Sequence, residues 1–154
     1  MDESLLKRLR ARRPAIRRDW EAFLRAEPVA TPLGNPDILA HLIGRTLNVL
    51  FASLGAGCRR RPAQPCSYAA VRAICDCGRN PLLAYFMAGE RALQGALSLA
   101  WSEARDLAPE TWDRAAAELY LVLHDIARRE VESFCSLCQQ MDAARPAISA
   151  VSAA

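Results

Sequence analysis

The run NPDILAHLIGRTLNVLFASLGAG, residues 35–57, decides the fold class. Asn35 offers a side-chain oxygen to the free amides of a first helical turn. Pro36 stands at the first helical position, where no donor is missed, and Asp37 favours the positive end of the helix dipole. Ile38, Leu39, Leu42, Ile43, Thr46, Leu47, Leu50, Phe51 and Leu54 then fall on one broad face at helical spacing, and Gly55 and Gly57 stop the helix.

The same grammar extends in both directions. Upstream, from about Asp2 to Ala26, Leu5, Leu9, Ile16, Trp20 and Phe23 follow one another at steps of four, seven, four and three. Leu6 and Leu24 widen the stripe, and the basic residues lie outside it, which is the pattern of an amphipathic helix with a packed Trp20. Pro14 lacks a backbone donor, so this stretch either kinks there or breaks, with Pro14 in the first turn of a second helix. Glu27 to Asn35 holds Pro28, Pro32 and Gly34 and is expected to be a loop. Downstream, Cys58 to Ser67 reads as loop and Tyr68 to Ile74 as a short helix capped by Ser67. Asn80-Pro81 then repeats the cap chemistry of Asn35-Pro36 and opens a helix to about Leu107. Pro109-Glu-Thr-Trp opens the last helix, expected to end near Met141. The expected fold is all-α, an antiparallel four-helix bundle or a globin-like packing. It forms one domain over residues 1–142, followed by a flexible tail over residues 143–154.

The totals agree with helices. At 154 residues the chain can bury a core without disulfides or metal, and 52% hydrophobic residues with 6% aromatic make that core mostly Leu, Ala, Val and Ile. No uninterrupted apolar run nears the roughly 20 residues of a membrane span, and no apolar segment follows the charged N-terminus. The expectation is a cytoplasmic protein with no membrane partner. Net charge is +3, but Lys7, Arg8, Arg10, Arg12, Arg13, Arg17 and Arg18 crowd one segment and Arg59, Arg60 and Arg61 another. Either these are solvated faces, or they meet nucleic acid or an acidic protein.

Six cysteines are many for a chain in a reducing compartment, where paired spacings point to metal or redox chemistry rather than structural disulfides. Cys75 and Cys77 flank one residue in the turn that leads to Asn80, and Cys135 and Cys138 share one face of the last helix. The last two long helices are joined by a short turn near Pro109, so they run antiparallel. Pro81 and Cys135 each lie about 26 residues from that turn, roughly 39 Å at 1.5 Å per residue. Both pairs therefore fall at one level. Four thiolates there suit Zn²⁺ or an iron–sulfur cluster, with Cys58 or Cys66 as additional ligands; a reversible dithiol, or thiols merely packed at the bundle end, are the alternatives. His41 and His124 are expected to be ordinary surface or boundary residues. No serine has an elbow or a base, and Glu90, Glu103 and Glu118 form no Glu-x-x-His array, so no enzymatic reaction is expected.

Trp20 on a basic amphipathic helix, the Pro32-Leu-Gly-Asn-Pro36 segment and the Leu-rich helix that follows make the first third of the chain resemble the N-terminal regulatory domain of RsbR-type stressosome proteins. That resemblance implies a helical, globin-like, haem-free domain, often a homodimer, that senses or relays a signal to a protein partner. Together these readings favour a small sensory or regulatory protein whose state is set at the cysteine end. The competing expectation is a basic adaptor for nucleic acid or an acidic protein, with the cysteines structural.

Overall fold

The computed structural model describes residues 1–27, 34–56, 80–104 and 107–151, with side chains of the last helix up to Gln140. Among the described residues there are five α-helices and no strand: α1 (Glu3–Ala11), α2 (Arg13–Ala26), α3 (Pro36–Gly55), α4 (Leu82–Ser102) and α5 (Pro109–Val151). The all-α expectation holds. The proposed short helix over Tyr68 to Ile74 lies outside the described residues.

Each start has a local cause. Asp2 accepts from the Ser4 and Leu5 amides at 2.9 and 3.2 Å and caps α1. Pro14 breaks the first segment instead of kinking it. The Arg12 amide closes α1 on the Arg8 and Leu9 carbonyls, the Arg12 carbonyl accepts from the Ile16 amide, and Pro14 sits in the first turn of α2. Asn35 accepts from the Asp37 amide at 2.9 Å, and Asn80 accepts from the Leu82 amide at 3.0 Å, so one cap device opens both α3 and α4. α4 ends at Ser102, earlier than the expected Leu107. The backbone of α5 stays helical to Val151, past Met141 and through Pro146, in a stretch whose alanines favour the helix.

The packing turns on Trp20. Its indole Nε1 donates to the Tyr85 carbonyl on α4 at 2.9 Å, and its ring lies 4.9 Å from that of Tyr85. A Cβ on Gly89, one turn further along α4, would stand 2.2 Å from the Trp20 ring. Only glycine there lets the indole rest on the helix backbone. The Tyr85 hydroxyl in turn meets the Thr46 hydroxyl of α3 at 2.8 Å. Burial, helped by the charge of Glu130, pushes the Tyr85 phenol above its ordinary range against the pull of the Thr46 hydrogen bond. Around these contacts Leu5, Leu9, Ile16, Ile43, Leu47, Leu50, Phe86, Leu93, Leu97 and Leu123 form the fully buried core. Each contributes about 1.5–3 kcal/mol on leaving water.

α4 and α5 form an antiparallel hairpin. As contacts on α4 climb from Asn80 through Glu90 to Trp101, their partners on α5 fall from Cys135 through His124 to Trp112. α3 corrects one sequence expectation. Over its 20 residues only Asp37 and Arg45 are charged, and by length and composition it could cross a bilayer, because scattered polar residues lower the mean hydropathy less than they interrupt an apolar run. Its inner face, from Leu39 through Leu47 to Leu54, packs in the protein core, while Ile38, Leu42 and Val49 face outward.

Candidate functional site

Of the six cysteines, Cys135 and Cys138 are among the described residues; Cys58, Cys66, Cys75 and Cys77 lie outside them. Cys135 is buried and Cys138 half-buried, three residues apart on α5. The Asn80 amide group donates to the Cys135 sulfur at 3.6 Å, while the same side chain's oxygen caps α4. The start of α4 and Cys135 are thus at one level, as the counting from the Pro109 turn requires. Val131, Cys135, Leu82 and Leu83 make a small apolar cluster at this end, joined to the main core through Leu82. No group of three or more metal-binding side chains occurs among the described residues, which hold two of the four expected thiols.

A second site was not anticipated. Midway along the hairpin, α4 and α5 part to leave a cleft of about 430 Å³. Leu93 and Leu97 wall it from one side and Leu119 and Leu123 from the other, with Trp112 towards the turn and Glu90, Gln94 and Tyr120 towards the opposite end. Gln94 Nε2 donates to Glu90 Oε1 at 3.1 Å. His124, expected near the surface, is instead only 4% exposed; its Nε2 lies 3.7 Å from Glu90 Oε2, and its ring stacks on Tyr120 at 3.8 Å. Partial burial, with a smaller contribution from the Glu90 charge, raises the Tyr120 phenol above its ordinary value. His41, by contrast, is exposed at the start of α3, as expected.

Part of the basic segment is used by the fold. Arg10 and Arg13 donate to the Phe51 and Gly44 carbonyls of α3 at 2.9 and 3.0 Å. Arg12 pairs with Glu103, Arg17 with Glu21, and Arg18 with the adjacent Asp19. Lys7 and Arg8 are exposed on α1.

No family model, curated protein or solved structure matches this chain. The two sites therefore have to be read from their own chemistry. A buried thiol held by a helix-capping amide offers metal ligation or a redox bond. A leucine-walled cleft with one carboxylate and two aromatic rings at its ends offers ligand binding.

Proposed function

We propose that this chain is a small sensory or regulatory helical protein whose state is set by thiol chemistry at the open end of the α4–α5 hairpin. The observation that carries this reading is the contact between Asn80 and Cys135. Cys77 precedes Asn80 by three residues, so its Cα can stand no more than about 11 Å from that of Asn80 along the chain. We take Cys75 and Cys77 to fold back towards Cys135 and Cys138, and four such thiols would suit one Zn²⁺ ion or iron–sulfur cluster, or a reversible disulfide. Because the Val131 and Cys135 cluster is small and meets the main core through Leu82, a change of thiol state there would reshape the hairpin end first. Such a local change is what a protein partner, a second copy of the chain included, would read. The resemblance of the first third to RsbR-type regulatory domains points the same way.

The adaptor reading has less support, since Arg10, Arg12 and Arg13 are tied to α3 and Glu103, which leaves Lys7, Arg8, Arg17 and Arg18 exposed. The test of the proposal is elemental analysis and thiol counting on protein purified without chelator, repeated on the Cys135→Ser, Cys138→Ser variant. Metal, or a reducible disulfide, in the parent and its loss in the variant are expected. Fully reduced, metal-free thiols in the parent under both oxidising and zinc-supplemented conditions would refute it.

A further inference from the structure

The cleft between α4 and α5 has no place in the thiol reading, and its chemistry is one-sided. Glu90 is the acidic group at its rim, with a side chain about 20% exposed. No Lys or Arg pairs with it among the described residues. The neighbouring Arg91 turns away to lie 4.4 Å over the Phe23 ring and to face Glu27 at 3.8 Å, while Arg128 is held by Asp125 and Glu132. Gln94 donates to one Glu90 oxygen, and the other stands 3.7 Å from His124 Nε2, beyond a normal hydrogen bond. The second polar element is aromatic: Trp112 and Tyr120 both line the cleft, and ring faces carry negative quadrupole density. The remaining wall is leucine and alanine with Ser98, whose hydroxyl donates to the Gln94 carbonyl, and about 430 Å³ is within the range of small-molecule sites.

We propose that this cleft binds a small organic cation, an amine or quaternary ammonium on an apolar body, with its charge between Glu90 and the Tyr120 ring and its body along the leucine walls towards Trp112. A carboxylate rejects anions, and the ring faces add a cation preference worth a few-fold to tens-fold in affinity in a partly dry site. An apolar body alone would gain the leucine contacts but neither of these.

The test is an NMR titration of the full chain in near-neutral buffer. Three probes share a benzene ring and differ in charge: benzyltrimethylammonium, phenylethanol and phenylacetate. The cation is expected to shift the Trp112 indole signal and to bind at least about tenfold more tightly than the alcohol, a difference of about 1.4 kcal/mol, with phenylacetate the weakest. Glu90→Gln, which keeps the shape and the Gln94 contact, should cut the preference for the cation several-fold and leave the share that the Tyr120 ring supplies. Tyr120→Leu should weaken the cation by more than it weakens the alcohol. Equal binding of cation and alcohol to the parent, a preference for phenylacetate, a silent Trp112, or a cation preference that survives both substitutions would overturn the proposal.

Discussion

Replacing Gly89 by alanine is the sharpest test of the packing. An added Cβ would lie 2.2, 2.5 and 2.6 Å from the Cζ2, Cε2 and Cη2 atoms of Trp20, far inside van der Waals contact. The ring cannot swing aside cheaply, because it is fully buried and its Nε1 is committed to the Tyr85 carbonyl. Overpacking of this kind costs about 1–3 kcal/mol, and a buried indole N–H pulled off its acceptor costs about 1–3 kcal/mol more. Against this, alanine gains about 1 kcal/mol over glycine inside a helix. The net expectation is a loss of about 3 kcal/mol, which in a chain of this size lowers the melting temperature by about 6–12 °C. Gly95, on the same helix, is the control: nothing lies within 4 Å of its added Cβ, so Gly95→Ala should stabilise by up to about 1 kcal/mol. Trp20→Phe removes the three ring atoms that the methyl strikes, so the double variant should lose less than the two single losses combined. Urea unfolding and thermal melts of the four proteins decide the matter. A Gly89→Ala protein as stable as Gly95→Ala would mean that α2 does not sit on α4 in this way.

Three further outcomes are expected. Tyr85 titrates higher in the folded protein than its ordinary value of 10.0, so above about pH 10 the unfolded chain gives up this proton first. Stability is then lost as pH rises, by up to about 1.4 kcal/mol per unit from this group, and urea midpoints across that range should fall less steeply in Tyr85→Phe. Asn35→Ala and Asn80→Ala should each cost about 1 kcal/mol as lost caps, read by urea midpoints; Asn80→Ala alone should also speed alkylation of Cys135, because it uncovers the sulfur that the Asn80 side chain covers. In the parent, mass spectrometry after brief alkylation should find Cys138 modified before Cys135, because the first is half-buried and the second buried; the reverse order would place the two sulfurs wrongly.

What the sequence made legible was whatever local chemistry or simple counting controls. Asn35-Pro36 and Pro109 start helices because capping depends on neighbours in the chain. Asn80 meets Cys135 because two helices joined by a short turn must pair at equal distances from it. The same counting brings Glu90 and His124 close to one level, and that was within reach; it was missed because each was weighed alone, a glutamate outside a recognised array and a histidine beside an apolar stripe. Gly89 gave no signal, since a glycine within a helical run looks like a mild penalty until the indole that needs the space is seen. The arginines carry a further use. Charge crowding on α1 and α2 reads as a solvated face or as a surface for partners, and Arg10 and Arg13 also donate to carbonyls of α3, a tertiary use that no periodicity reports.

The seat of Trp20 against Gly89 also bears on how this chain can vary. A contact that fixes two helices by one ring and one missing side chain sets their register without help from the connection between α3 and α4. Closing a connection of twice the length costs only about 0.6 kcal/mol more. The register of α2 on α4 is therefore written in Trp20 and Gly89 and not in the stretch between Ala56 and Asn80, which carries four of the six cysteines. Substitutions in that stretch leave this helix contact untouched.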